Sequence, residues 1–234
     1  MENPFADMTQ KKVARLAGLF YLAFIAASVL ADRFGQIGLG DASAIVDGMT
    51  ASDWYFRIGL MFGLFSALLF LLAAWALYIL LKPVNRDLAL LFLLLNLVGV
   101  AIQCLSYVNL FAARQLLSGA DYLNAFQADQ LRAQAVSLVY LYKDSFMIAQ
   151  IFYGTWVFPL GYLVYKSGFL PRWLGALLMI DCIAILVWFF QYFLLPGHEA
   201  LSYPCWAISF IAEFSLGLWL LIKGPRNPIK ASLR

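Results

Sequence analysis

Six long apolar runs alternate with short polar stretches along the chain, near residues 13–31, 57–81, 88–111, 144–165, 173–195 and 203–222. Each run holds about the 20 residues that a helix needs to cross the hydrocarbon core of a bilayer. Backbone groups in lipid must be satisfied within their own segment, so each run predicts a helix. The pattern predicts an all-α integral membrane bundle of six transmembrane helices, arranged as three helical hairpins and forming one transmembrane domain over 1–234. The segment before the fourth span, Asp129-Gln-Leu-Arg-Ala-Gln-Ala-Val-Ser-Leu, has no helix breaker and predicts a helical lead-in. Asp41, ahead of Ala-Ser-Ala-Ile-Val, reads as a helix N-cap. Pro159 lies inside the fourth span, where it predicts a bend. Lys11-Lys12 before the first run resembles the start of a signal peptide, but the run is long for one and is read as a span.

Composition agrees with lipid as the solvent. Of 234 residues, 64% are hydrophobic and 12% charged. Soluble domains carry roughly 45–50% and about 25%. The net charge of +3 gives no reason to expect a nucleic-acid partner. Its distribution sets orientation. The side that holds both termini would carry Lys11, Lys12, Arg15, Lys82, Arg86, Lys166, Arg172, Lys223, Arg226, Lys230 and Arg234, against Arg33, Arg57, Arg114, Arg132 and Lys143 opposite. The positive-inside rule then predicts cytoplasmic termini. An aromatic residue precedes a lysine by four positions at the end of three spans: Tyr78 and Lys82, Tyr162 and Lys166, Trp219 and Lys223. Interfacial anchoring explains that repeat without invoking duplication of a hairpin.

Counting about ten residues inward from each cytoplasmic end, at 1.5 Å per residue, reaches the middle of a core about 30 Å thick. The count arrives at Asn96, Trp156, Asp181 and Glu213 on four different helices. Cys205, Ser209, Glu213 and Gly217 recur every fourth residue and form a stripe of small or polar side chains, so Glu213 is predicted to face other helices. The neighbours of Asp181 give no such stripe. Gly59, Gly63 and Ala67 form a small-residue stripe that packing explains. No Lys or Arg lies at that depth. A carboxyl there is either neutral and bonded between helices, or shares a proton, or holds a cation or basic ligand. Gln103 and Gln150 belong to a further polar group with Asn109, Tyr140, Tyr142, Lys143 and Asp144, for which bonding between helices is favoured over the lining of a cavity. Lys143 and Asp144 can be solvated at the interface.

The ligand-binding candidates are therefore Glu213, Asp181, Asn96, Trp156, Gln150 and Gln103. No catalytic residues are assigned, because no nucleophile and base can be paired, and no enzyme activity is expected. Three cysteines without C-x-x-C spacing, and one histidine in a connecting loop, give no metal or cofactor site. Gly38-Leu-Gly-Asp41 matches the G-x-G-D of intramembrane aspartyl proteases, but it lies in a loop and is set aside. The expected partners are the lipid bilayer, a small molecule or cation, and a second copy or another membrane protein.

Several segments together are similar to one known family. They are Lys11-Lys-Val-Ala-Arg-Leu-Ala-Gly-Leu-Phe-Tyr21, Leu80-Leu-Lys-Pro-Val-Asn-Arg86, Leu116-Leu-Ser-Gly-Ala-Asp-Tyr122, the hairpin from Phe158 through Pro171-Arg-Trp-Leu-Gly175, and Glu213-Phe-Ser-Leu-Gly-Leu-Trp-Leu-Leu-Ile-Lys-Gly224. In that order they resemble the bacterial membrane family named domain of unknown function 4386. The resemblance implies a six-helix protein of the bacterial inner membrane and no particular activity. It also implies a glutamate at Glu213. Acids in the second span and an arginine in the third, which many relatives carry, correspond here to Gly63, Phe70 and Asn96, and Asp181 lies outside the pattern.

Overall fold

The computed structural model describes residues 10–37 and 40–225. Among them it holds seven α-helices and two short 3-10 turns, and no strand. The helices are α1 (Gln10–Gly35), α2 (Ala42–Ala51), α3 (Asp53–Leu81), α4 (Arg86–Leu116), α5 (Ala128–Lys166), α6 (Arg172–Leu194) and α7 (Ser202–Ile222). All but α2 are long and apolar enough to cross a membrane. The protein is an all-α, multi-pass membrane protein. Its outward side chains agree: Phe65, Leu105 and Ile183 are more than 60% exposed. Water would penalise each such surface at about 25 cal/mol per Å².

Local signals behave as their chemistry requires. The Asp41 carboxylate caps α2 by accepting from the Ala44 amide at 3.1 Å. The breaker-free lead-in does merge with the fourth span. α5 thus runs unbroken for 39 residues, about 58 Å at helical rise, and continues through Pro159. Gly38 of the G-x-G-D match, and Arg226, Lys230 and Arg234 of the charge count, lie outside the described residues.

Backbone contacts divide the chain into two compact units. The first comprises 1–23, 69–99 and 150–234, and the second 24–68 and 100–149. In the first, small residues bring helices together. A β-carbon on Gly18 of α1 would lie 2.5 Å from the Leu221 amide nitrogen and 2.7 Å from the Gly217 carbonyl oxygen of α7. One on Gly161 of α5 would lie 2.8 Å from the Gly175 carbonyl oxygen of α6. Helix α6 also packs along α7. The sequence repeat has a structural counterpart in this unit. Lys82 lies over Tyr78 and Lys166 over Tyr162, each 5.8 Å from the ring centre, and Lys223 lies 4.5 Å over Trp219. An ammonium above a ring, its aliphatic stem along the helix, is how such ends settle at a headgroup layer.

In the second unit, Gly63 of the α3 stripe packs under the Tyr107 ring, where a β-carbon would lie 2.8 Å from the hydroxyl. Tyr142 is buried and donates to the Ile37 carbonyl at 2.6 Å. The polar rim of this unit is ion-paired. Asp53 binds both Arg57, at 2.7 Å, and Arg114, and Asp47 binds Arg132 at 2.6 Å. Lys143, expected simply to be solvated, donates to the Gly40 carbonyl at 3.0 Å. The unit also has an open cleft of about 450 Å³, lined among others by Arg33, Phe34, Gln36, Ser52 and Tyr55.

Candidate functional site

Polar groups collect in the first unit, on five of its helices. Asp181 of α6 is fully buried, although its helix face gave no polar stripe. The reason lies on another helix: the Ser209 hydroxyl of α7 donates to Asp181 Oδ1 at 2.5 Å. The second carboxylate oxygen, Oδ2, is buried and has no protein partner. Glu213 stands one turn after Ser209 on the same stripe. It is half-buried, and the Tyr21 hydroxyl of α1 lies close to its carboxyl. Asp181 and Glu213 are close enough for their charges to interact. Neither carboxylate forms an ion pair with a described residue. The stripe thus does two things. Gly217 lets α1 approach, with Leu22 only 3.0 Å from where its β-carbon would be, and Ser209 bonds to α6.

Aromatic rings continue the site. The Tyr21 ring stacks on the Trp156 indole of α5, centres 6.5 Å apart. Phe70 of α3 meets Trp156 edge-on at 5.1 Å and Tyr21 at 5.9 Å. Phe92 of α4 meets Trp156 at 6.0 Å. Trp156 is fully buried, and its Nε1–H has no protein partner.

Asn96 is placed by its neighbours on α4. Phe92, one turn before it, touches Trp156. A β-carbon on Gly99, three residues after it, would lie 2.6 Å from the Tyr153 ring. Residues three and four apart share a helix face. Asn96 therefore points at α5 between Trp156 and Tyr153. It is fully buried, and neither its Nδ2 nor its Oδ1 has a protein partner. Leaving a buried polar group unpaired costs about 1–3 kcal/mol, and such groups are rare in native structures.

The chain of groups from α4 to α7 thus runs Asn96, Trp156, Tyr21, Glu213, Asp181, Ser209. Four of the six sequence candidates fall within it. The other two do not join them. Gln150 is buried on α5, about 9 Å along the helix from Trp156. Gln103 belongs to the second unit, where its amide donates to the Tyr107 hydroxyl at 3.3 Å. Sequence reasoning missed Tyr21, although the inward count supplied the signal: Tyr21 lies ten residues after Lys11. Phe70 enters from the sequence only as the counterpart of an acid in relatives. Among the described residues no group of three or more His, Cys, Asp or Glu could hold a metal ion. Cys104, Cys182 and Cys205 are free, and the latter two are buried as small apolar groups.

The family model described as "Domain of unknown function (DUF4386)" matches residues 16–224. The chain belongs to this family. The match reaches all six long apolar helices and includes every residue of the polar chain described above. A relative from Archaeoglobus fulgidus, itself described as an uncharacterized protein, is 29% identical over 156 residues, covering 64% of this chain and 74% of its own. No solved structure matches the chain.

Proposed function

We propose that this member of the family is a permease-like protein of a bacterial inner membrane that binds a small molecule or cation at Glu213 and Asp181. Asn96 and Trp156 belong to the same site, and both termini lie in the cytoplasm. One observation carries the reading. Two carboxyls on adjacent helices are within electrostatic reach of each other, neither is ion-paired with a described residue, and Asp181 has a buried oxygen that no protein group satisfies. Intramembrane acids in such settings mark ligand or ion pathways. The orientation is supported by the excess of lysine and arginine on the side that carries Lys82, Lys166 and Lys223.

The test is thermal unfolding of the purified protein from about pH 5 to 9, the interval over which a desolvated carboxyl can titrate. Na⁺, K⁺ and a metabolite panel are each added to wild type and to Glu213→Gln. A ligand or cation shift confined to wild type is expected. If nothing shifts either protein and the variant is as stable as wild type, the proposal fails.

A second reading has its own support. The Ser209 to Asp181 bond and the Tyr21 to Glu213 contact each bridge two helices, as fasteners in a structural or partner-binding membrane protein do. It predicts a Glu213→Gln protein that is less stable but indifferent to every additive.

A further inference from the structure

The unpaired atoms of the site define a hydrogen-bonding pattern. Asp181 Oδ2 and Asn96 Oδ1 are acceptors that need a donor, while Trp156 Nε1–H and Asn96 Nδ2 are donors that need an acceptor. All three side chains are fully buried; Trp156 stacks on Tyr21, and Asn96 shares a helix face with Phe92, which meets Trp156. A complementary ligand carries donors at its Asp181 end and a group that both accepts and donates at its Asn96 end.

Charge narrows the choice at the first end. Two carboxyls without a basic neighbour favour a cation, and the ring faces of Tyr21, Phe70 and Trp156 add attraction for one. Geometry narrows it further. In secondary transporters the coupling Na⁺ is typically coordinated by backbone carbonyls of unwound helices. Here α6 and α7 are unbroken, and the one backbone acceptor that loses its helical donor near the site is the Thr155 carbonyl, four residues before Pro159. Indole and amide N–H groups repel a metal ion but welcome an acceptor on an organic cation. A ligand carboxylate would meet the like charge of Asp181 and Glu213, which excludes a free amino acid.

We infer that the site takes a small organic ammonium ion bearing a neutral hydroxyl or amide group, with its nitrogen at Asp181 and Glu213 and its polar group at Asn96 and Trp156. This inference rests on the functional reading above and specifies its ligand. Pro159 removes one helical hydrogen bond a turn from Trp156.

The experiment is a thermal-shift and calorimetric titration of the full chain in detergent with five probes: ethanolamine, glycinamide, propylamine, ethylene glycol and NaCl. The proteins are wild type, Asp181→Asn, Glu213→Gln and Trp156→Phe. Ethanolamine and glycinamide are expected to bind wild type and to weaken at least tenfold in both acid variants. Trp156→Phe keeps a ring but loses the N–H. It is expected to bind ethanolamine no better than propylamine, whereas wild type prefers ethanolamine. If Na⁺ alone binds, or ethylene glycol binds as well as ethanolamine, the ligand class is wrong while the site stands. If no probe and no member of the metabolite panel binds wild type, both the inference and the functional reading fall. Should Glu213→Gln not fold, Asp181→Asn and Trp156→Phe decide the question.

Discussion

Gly18→Val should separate α1 from α7 and loosen the site with them. A β-carbon at this position would lie 2.5 Å from Leu221 nitrogen and 2.7 Å from Gly217 oxygen, both backbone atoms that no side-chain rotation can move aside. It falls about 0.9 Å short of an ordinary 3.4 Å contact, before the two valine methyls are added. A helix displaced by about 1 Å forfeits a quarter to a half of its dispersion energy along the seam. Overpacking of this kind costs about 1–3 kcal/mol, and rigid neighbours put it near the top of that range. Valine regains roughly 0.5 kcal/mol through better helix propensity than glycine. The net loss is about 2.5 kcal/mol, or roughly 5–10 °C in Tm for a chain of this length. The assay is thermal unfolding in detergent. Gly48→Ala serves as the control, because its added methyl meets only the movable Gln36 side chain, at 3.2 Å. Tyr21 lies one turn from Gly18, and Glu213 one turn from Gly217. Displacing α1 should therefore also break the Tyr21 to Glu213 contact, and the effect of Glu213→Gln should shrink in the Gly18→Val background. A Gly18→Val protein that unfolds at or above the wild-type temperature would refute the packing argument. Strict additivity of the two substitutions would refute its link to the site.

Ser209→Ala removes the hydroxyl that donates to Asp181 and leaves both carboxylate oxygens buried without that bond. It should lower stability by about 1–3 kcal/mol, read as a Tm loss larger than that of Ser118→Ala, whose exposed hydroxyl bonds only within its own turn. At the exposed rim, the hydrogen bond from Arg132 holds the Asp47 carboxyl below its ordinary value of 3.8. A depressed carboxyl contributes stability that is present above its unfolded value and lost as pH falls through its folded one. Wild type should therefore lose slightly more stability than Asp47→Asn in titrations below about pH 4, and parallel curves would show that the pair contributes nothing.

The spans are legible in the sequence because twenty apolar residues admit few other structures. The α5 lead-in is legible because nothing in Asp129 to Leu138 stops a helix, and the Glu213 face because small and polar residues recur every fourth position. Asp181 is not legible in the same way. Its environment is made by Ser209, 28 residues further along, and no pattern on its own helix reports that. Depth alone also joins residues that rotation about the helix separates. Gln103 stands about as many residues from Arg86 as Gln150 does from Lys166, yet its amide turns to Tyr107, one turn along its own helix. Tyr21 escapes notice for a different reason. A tyrosine in an apolar run resembles an ordinary buried ring, and only its distance from Lys11 sets it apart.

The lysines stacked on Tyr78, Tyr162 and Trp219 have a mechanical consequence. In a bilayer they would moor one end each of α3, α5 and α7 to a water–lipid boundary, each by a ring and a charge four residues apart. A bilayer that thins or thickens by a few ångströms would then be accommodated at the opposite ends of α3 and α7, through tilt or exposure there. Glu213, ten residues from its mooring at Lys223, would keep its depth below that boundary in membranes of any thickness.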